Sequence, residues 1–422
     1  MNEAVADRFA QLLDAKDPAP ILHALRREDP VHFVSTLGFW LVTRHDDVKR
    51  LFNDPENVTQ DRRAWEHFVP QPEGTMMRQL QDRSAASQGP EAHARFRRLF
   101  SGALTPRAVR RMDAQIREVV DRFAEPLRGR PGEVLDLMGE FTDPIPNTVI
   151  SRVTGVPPGR NEVRFRELAQ GIIRAFFPFA PPEAMTRGEA ALREMAVWVR
   201  EMTAERRRAP RDDLISDLIR SQEQDGMLTD DDIVMLISVM LGAGSDTTNL
   251  GGSILIRALL GHPEQMERLR NDRRLLPRAV NELLRFAFGG PAGIQRYAVR
   301  DFELRGRKIR KGQMVMLSFG GANRDPAVFE NPDVLDFDRK EEDLLVFGNG
   351  PHYCLGANLA RQELGCMLDA ALDIAPPGSR VREDLVEFQQ MGLFKRPRNL
   401  PVEIPGSPPS RPLDRVPSAR PT

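Results

Sequence analysis

The feature that most constrains the fold is an apolar stretch of 24 residues, 233–256, in which Asp246 is the only charged side chain. Its length meets the ~20 residues that a helix needs to cross a bilayer. Glycines and polar side chains surround Asp246 at the midpoint, where an ionised aspartate in a bilayer would cost about 2.5–3.5 kcal/mol. We therefore predict a helix buried through a large soluble domain and no membrane span. Thr229 and the three aspartates after it predict the N-cap and the acidic first turn of that helix.

The centre of this helix combines glycines with Asp246 and two threonines, a composition that suggests close approach of another group to the backbone. Thr247 can return its hydroxyl to the carbonyl of Ala243 and so open a polar notch in an apolar wall. The alternative is tight helix packing on small residues such as Gly242, with Asp246 in a salt bridge elsewhere. The segment alone favours neither alternative.

Periodicity in the rest of the chain is mostly helical. Apolar residues recur at three- and four-residue spacing over 92–101, 106–128, 183–207, 212–221, 230–260, 277–288 and 357–374. Strand patterns are fewer: 31–34 and 39–43 predict a hairpin, and 295–317 alternates roughly, with Gly306 and Gly312 as turn residues. We predict a mainly α protein with small β-sheets (α+β). It forms a single domain over 1–400, followed by a Pro-rich, disordered tail over 401–422.

Composition excludes several classes of protein. The chain is 41% hydrophobic and 29% charged, unlike a disordered protein. Its 60 basic and 61 acidic residues give no reason to expect a nucleic acid or an anionic membrane as partner. Two cysteines, Cys354 and Cys366, cannot form a disulfide framework, and residues 1–10 lack the pattern of a signal peptide. These observations favour a reducing, cytoplasmic location.

One cysteine lies in a setting suited to a metal ligand. The glycine-rich run 347–356 predicts a loop, and Cys354 stands just before the helix predicted over 357–374. The dipole and free N–H groups of a helix N-terminus favour a thiolate, the form that binds a soft metal. Gly348 and Gly350 permit a tight turn against which a planar cofactor can lie. The alternative for any cysteine is a buried structural thiol, and Cys366 fits that description well.

Three motifs carry a family resemblance. Residues 347–356 resemble the haem-binding loop of the cytochrome P450 family, with Phe, Gly, Gly, His, Cys, Leu and Gly at its fixed positions. Residues 243–248 are similar to that family's oxygen-activating motif. Glu282 and Arg285 resemble the Glu-x-x-Arg pair of the helix behind the haem. The motifs occur in family order, and the resemblance extends over about residues 20–400.

The resemblance implies haem b (iron protoporphyrin IX), bound through the Cys354 thiolate and sandwiched between the long central helix and the helix after the Cys loop. Asp246 and Thr247 would organise protons and water for the cleavage of bound dioxygen. The resemblance also implies contacts with the cofactor from His93, Arg97, Ala243, Gly244, Arg296, Phe347, Gly348, His352 and Gly356. The four basic residues among them match the family's propionate partners.

One part of the family pattern is missing. The stretch between the Glu-x-x-Arg helix and the Cys loop commonly carries a third basic residue, which completes a network with Glu282 and Arg285. Val334 stands at that position in this chain. Arg339 is the nearby candidate for a substitute, and the third member stays open.

The implied function is a haem-thiolate monooxygenase that inserts one atom of O2 into a hydrophobic small molecule of terpenoid, steroid, fatty-acid or macrolide type. Electrons would come from a ferredoxin and its reductase, attracted to Arg95, Arg98, Arg107, Arg110, Arg111 and Arg361. A peroxygenase and a non-catalytic haem ligand sensor are the alternatives; Asp246 and Thr247 argue against the first, and the lack of an output module against the second. The predicted substrate pocket comprises Trp65, Phe68, Phe176, Phe177, Leu241, Ala292, Gly293, Ile294 and Leu393.

Overall fold

The computed structural model describes residues 8–15, 17–83, 91, 93–94, 96–98, 104–157, 160–176, 180–225, 228–288, 293–340, 343–391 and 394–406. The α-helices described, in chain order, are α1 (Arg8–Asp14), α2 (Ala19–Glu28), α3 (His45–Phe52), α4 (Met76–Arg83), α5 (Pro106–Arg111), α6 (Asp113–Ala124), α7 (Pro144–Thr154), α8 (Arg160–Phe176), α9 (Pro182–Arg208), α10 (Leu214–Asp225), α11 (Asp230–Leu260), α12 (Pro263–Asn271), α13 (Leu276–Ala287), α14 (Phe319–Ala322) and α15 (Ala357–Ile374).

The strands are short and form small sheets. They are β1 (Val31–Val34), β2 (Phe39–Val42), β3 (Val58–Thr59), β4 (Val134–Asp136), β5 (Gly293–Ala298), β6 (Phe302–Leu304), β7 (Arg307–Ile309), β8 (Met314–Ser318), β9 (Arg380–Val381), β10 (Phe388–Met391), β11 (Phe394–Pro397) and β12 (Pro401–Glu403). The largest sheet has the order β1-β2-β8-β5-β3. The α+β fold class is confirmed.

The predicted N-terminal hairpin forms, with Val34 opposite Phe39 and Gly38 at a φ of 70° in the turn. Strand β2 then pairs parallel with β8, while β8 pairs antiparallel with β5. The alternation over 295–317 is therefore confirmed as β5 to β8. Residues 306 and 312 are both glycines with positive φ, as a turn position requires.

The predicted central helix is α11. Thr229 caps it, since its hydroxyl accepts from Asp232 N–H while the Asp232 carboxylate accepts from Thr229 N–H. By length and composition α11 is apolar enough to cross a membrane, but the core helix of a soluble protein passes the same test. It packs against α7, α8, α9, α13 and α15, and over half of its most apolar window is buried within the fold.

Glycines let neighbouring helices approach α11 closely. A Cβ on Gly242 would lie 2.4 Å from Ile173 of α8, and one on Gly252 would lie 2.9 Å from the Met367 sulfur of α15. Tight packing on small residues, one of the two alternatives for this helix, therefore applies to these faces. A different face carries the site described below.

Two boundaries differ from the sequence prediction. The helix predicted over 106–128 ends at Arg111 and begins again at Asp113, with Met112 between the two segments. The predicted domain end at 400 comes too early, because β12 pairs with β4 and β9. Val402 is fully buried there, since strand alternation turns it towards the core. Residues 407–422 lie outside the described part, so the disordered tail stays a prediction for them.

Candidate active site

The Cys loop holds its cysteine at the end of a tight turn. Cys354 N–H donates to the Phe347 carbonyl at 2.8 Å, and α15 begins three residues after Cys354. Gly348 and Gly350 have φ of 75° and 70°, which favours glycine at both positions. A Cβ on residue 350 would also lie 2.1 Å from the Asn53 side-chain oxygen. Cys354 lines a cavity of about 390 Å³.

The charge state of this thiol depends on two opposing effects. Burial raises the pKa of Cys354, while the Gly356 N–H and the cations Arg361 and Arg97 act in the other direction. The helix start therefore favours the thiolate as the sequence predicted, but burial outweighs it. Metal binding deprotonates a cysteine thiol, so a bound metal cation would act with the Gly356 N–H and the two arginines in favour of the thiolate.

Four basic side chains gather beside the Cys loop. The rings of His93 and His352 lie 4.0 Å apart, and Arg97 donates to the Tyr353 carbonyl at 2.7 Å. Arg296 is 3% exposed and lies 4.9 Å above the Phe52 ring. The structure thus brings together the four residues that the resemblance assigned to the propionates.

This basic cluster, defined as His93, Arg97, Arg296 and His352, has no counter-charge among the described residues. Burial together with the charges of His93, Arg296 and Arg97 lowers the pKa of His352 to about 4. Burial also lowers the pKa of Arg296 to about 10. Within the described ranges no carboxylate forms an ion pair with any of the four. Two carboxylates from a bound molecule would relieve this repulsion, and the two propionates of haem are such a pair.

Helix α11 contributes to the same site through Val239, which lines the cavity. Ala243 and Thr247 are exposed in the middle of this otherwise buried helix, and Val239 lies on the same stripe and lines the cavity. Thr247 Oγ1 donates to the Ala243 carbonyl at 2.7 Å, as the sequence predicted. Gly244 faces Ile150, where a Cβ would lie at 3.1 Å. The polar notch and the tight packing therefore coexist on different faces of one helix.

Asp246 turns to a partner that the sequence did not predict. Its carboxylate forms a salt bridge with Arg396 of β11, and the two side chains are only 13% and 9% exposed. Arg396 Nε is buried and has no hydrogen-bond partner within the part of the chain that the structure describes. Because the two residues are 150 positions apart in the chain, no local sequence pattern could indicate this pair.

A polar chain continues behind Asp246. Asn249 donates to Asp143 at 2.8 Å, and Arg166 pairs with the other oxygen of Asp143 at 2.9 Å. Burial raises the pKa of Asp143, and the nearby Asp246 charge adds to the rise against the opposing charge of Arg166. Thr142 donates in turn to Asn249 at 2.9 Å. Titratable and hydrogen-bonding groups therefore extend from the site into the protein.

The network behind the Cys loop has Arg339 as its third member. Arg285 donates to both oxygens of Glu282 at 2.7 and 2.8 Å, and both side chains are almost fully buried. Arg339 Nε lies 3.2 Å from each of the same oxygens. Val334 contributes its carbonyl, which accepts from Arg285 and Arg339 at 3.1 Å. The question that the sequence left open is thus settled in favour of Arg339.

The predicted substrate pocket is reproduced only in part. Ile294 lines the cavity, whereas the described lining does not include Trp65, Phe68, Leu241 or Gly293. Leu241 lies in the main hydrophobic core, and Trp65 packs on a separate cluster with Tyr297. The Phe176 side chain and residues Phe177, Ala292 and Leu393 lie outside the described part. The lining that the sequence missed includes Gln60, Arg62, Leu80, Gln81, Phe96, Ile172, Ile173, Gln295 and Tyr297.

These residues fit a haem. Cys354 and Val239 of α11 line the same cavity, Ala243 and Thr247 are exposed further along the stripe of Val239, and the basic cluster supplies charge for two carboxylates. A Cβ on Gly356 would meet no atom within 4 Å, so the backbone there is open to a flat neighbour. None of the described acidic, histidine or cysteine side chains forms a group of three that could hold a metal. A cofactor that brings its own metal ligands would need only one thiolate from the protein, and Cys354 would supply it.

Comparison with known proteins agrees with this geometry. The family model described as Cytochrome P450 matches residues 32–373. Cytochrome P450 CYP107DY1 of Priestia megaterium is 35% identical over 339 residues, which cover 77% of this chain and 79% of that protein. Nocardicin C N-oxygenase of Nocardia uniformis is 35% identical over 400 residues, 92% of this chain and 96% of that protein. The structure of epothilone D-bound cytochrome P450epoK matches with a TM-score of 0.85 at 27% identity, covering 94% and 99%.

Proposed function

Because the chain belongs to the cytochrome P450 family of haem-thiolate monooxygenases, we propose that it oxidises a hydrophobic small molecule with electrons from a separate ferredoxin system. The observation that carries the proposal is Cys354, which lines one cavity together with His93, Arg97 and His352 of the basic cluster and with Val239 of α11. Haem b, which proteins of this family bind through a cysteine thiolate, supplies the activation of O2 and the insertion of one oxygen atom when it is bound.

The residues of the Cys loop hold and orient the cofactor in this proposal. Cys354 would provide the thiolate ligand, and the hydrogen bond from its N–H to the Phe347 carbonyl holds its backbone in the closed turn. Arg361 stacks on the Phe347 ring at 4.4 Å and donates to the Tyr353 hydroxyl at 3.1 Å, so one side chain supports two loop residues. The basic cluster would bind the propionates, with permanent charge from Arg97 and Arg296.

Thr247 and Asp246 of α11 take part in proton transfer in this proposal. Thr247 Oγ donates its proton to the Ala243 carbonyl, which leaves its lone pairs free to accept a hydrogen bond from a group in the cavity. Asp246 is held by Arg396 beside the Asp143 chain, a position from which a proton can pass between buried groups and the cavity side of α11. These contacts support the catalytic assignment of the two residues.

The exposed arginines of α5 favour docking of an acidic ferredoxin at this helix. Arg107, Arg110 and Arg111 are exposed on α5, and this helix packs against α15 of the Cys side. Asn358 of α15 donates to the Leu104 carbonyl just before α5 at 3.3 Å. A cationic surface this close to the Cys loop attracts an anionic protein partner. Arg95, also predicted for this face, lies outside the described residues.

The substrate side of the cavity is apolar along α8 and α11, where Ile172, Ile173 and Val239 line it together with Ile294 of β5. Burial of hydrocarbon against these side chains would supply much of the binding free energy, so a hydrophobic ligand of terpenoid, steroid, fatty-acid or macrolide type is the proposed class.

The test is turnover with a defined source of oxygen. The holoenzyme is given NADH, a bacterial ferredoxin and its reductase, and ¹⁸O2, with a library of terpenes, steroids and fatty acids chosen by Soret spin shift. We expect one ¹⁸O atom in the product, with formation that depends on both ferredoxin and reductase. Product formed only with added hydrogen peroxide would favour a peroxygenase, and spin shifts without any product would favour a ligand sensor.

A further inference from the structure

A turn of unusual width ends beside the centre of α11. Within Met138–Thr142 the backbone hydrogen bonds join residues five positions apart. Thr142 N–H donates to the Leu137 carbonyl at 2.9 Å, and Asp143 N–H donates to the Met138 carbonyl at the same distance. Such π-helical turns are rare and are found mostly at functional sites. This turn packs against α11 and brings two consecutive side chains, Thr142 and Asp143, to one residue of that helix.

The residue that they contact is Asn249, whose amide is held at both ends. Its oxygen accepts from the Thr142 hydroxyl at 2.9 Å, and its nitrogen donates to Asp143 at 2.8 Å. Asn249 is buried and stands three positions after Asp246, so the two side chains are neighbours on one helix face. These bonds therefore fix the Asp143 carboxylate on the side of α11 that carries Asp246.

Two ion pairs stand side by side at this face. Asp143 pairs with Arg166 of α8 at 2.9 Å, and Asp246 pairs with Arg396 of β11. The Asp143 side chain is 21% exposed and that of Asp246 is 13% exposed. Charges in a partly buried site act on one another more strongly than they do in water. A change of charge on one carboxylate is therefore felt by the other.

The charges that act on Asp143 come from four elements. Burial raises the pKa of Asp143, and Asp246 of α11 and Asp136 of β4 add to the rise. Arg166 of α8 and Arg396 of β11 oppose it. The two carboxylates Asp143 and Asp246 thus repel each other although each has its own arginine. A like charge makes a carboxylate easier to protonate, so Asp143 favours the form of Asp246 that can donate a proton.

We propose that Asp143 is a positioning residue for proton transfer by Asp246, and that its negative charge, held in place through Asn249, keeps Asp246 able to take up a proton. Asp246 takes that proton from solvent and releases it on the cavity side of α11, so its charge returns to the starting value in each cycle. Without Asp143, Arg396 would hold the Asp246 carboxylate unopposed and make it harder to protonate. This inference rests on the proposed function, because it assigns Asp143 a part in the proton supply of that reaction.

The experiment follows oxygen consumption by the holoenzyme with NADH, a bacterial ferredoxin, its reductase and dodecanoic acid as the probe. It is measured from neutral to alkaline pH, in H2O and in D2O. Asp143→Asn and Asp143→Ser remove the charge with two different shapes, and Asp143→Glu retains it. Glu140→Gln is the matched control, because it removes one negative charge from the same turn at an exposed position.

We expect both charge-removing variants to lower kcat about threefold or more at neutral pH, because less Asp246 is protonated, and to leave KM unchanged. The decline of kcat at alkaline pH should move to lower pH, and the solvent isotope effect on kcat should increase, since proton transfer becomes slower. Asp143→Glu and Glu140→Gln should retain the wild-type profile.

Three results would overturn the inference: an unchanged pH profile in Asp143→Asn, a shift in only one of the two charge-removing variants, or the same shift in Glu140→Gln. Loss of haem from the charge-removing variants, seen in the reduced, CO-bound spectrum, would also overturn it, because Asp143 would then have a structural role. A wild type that consumes no more oxygen than ferredoxin and reductase alone would refute the proposed function. An active wild type with unchanged Asp143 variants would refute only the role of Asp143.

Discussion

The salt bridge between Asp246 and Arg396 is the contact whose removal has the most specific consequence. Arg396→Gln leaves a carboxylate that is 13% exposed without its partner, and Asp246→Asn leaves an arginine that is 9% exposed without its own. Breaking a buried pair in this way costs about 3–5 kcal/mol. At an unfolding entropy of ~2.1 cal/mol/K per residue, 422 residues give about 0.9 kcal/mol/K, so each variant should lower Tm by about 3–6 °C.

The double variant distinguishes a pair from two independent residues. Asp246→Asn with Arg396→Gln removes both charges, so we expect its loss of stability to fall short of the sum of the single losses by about 1–3 kcal/mol. Scanning calorimetry of the four holoenzymes measures this difference. Arg398→Gln is the control, since Arg398 is exposed two residues further along the chain. Additive losses, or an Arg396 variant no less stable than the Arg398 variant, would refute the assignment.

Three further predictions follow from the same contacts. Thr247→Ala should keep haem and substrate binding but divert electrons from product to peroxide or water, measured as product formed per NADH; unchanged coupling would remove Thr247 from its role. Arg339→Leu leaves Glu282 with Arg285 alone, so we expect faster haem loss to apomyoglobin than from the wild type, and an equal rate would contradict the network. Because the pKa of His352 falls from 6.5 unfolded to about 4 folded, the unfolded state binds more protons between these values. Apoprotein stability should therefore decrease as pH falls from 6.5 to 4, and His352→Gln should flatten that slope in Tm.

Much of the architecture could be predicted from the sequence because it depends on local patterns. The capping box at Thr229 and Asp232 fixed the start of α11, and the return of the Thr247 hydroxyl to Ala243 needs only one helical turn. The hairpin at Gly38 follows from alternation and a turn glycine. The haem contacts were assigned through the family resemblance, and the clustering of His93 with His352 supports that assignment.

The contacts that the sequence did not reveal are those made across long separations. Arg396 reaches Asp246 from a C-terminal hairpin, and its identity as an arginine carries no local sign of that partner. Arg62 and Arg63 are adjacent residues of the same type in the sequence, yet Arg63 pairs with Asp61 whereas Arg62 lines the cavity. The end of the domain was misplaced because prolines after 400 suggested disorder, whereas Val402 and Ile404 are buried against the core.

The most direct test of the account is the optical spectrum of the reduced, CO-bound protein and its Cys354→Ser variant. We predict a strongly red-shifted Soret band for the wild type, as thiolate ligation produces, and its loss in Cys354→Ser. Cys366→Ser should retain the band, because that thiol is buried in the core and its pKa is raised to about 11 by burial. A folded Cys354→Ser variant that kept the red-shifted band would contradict the assignment of the axial ligand and the mechanism built on it.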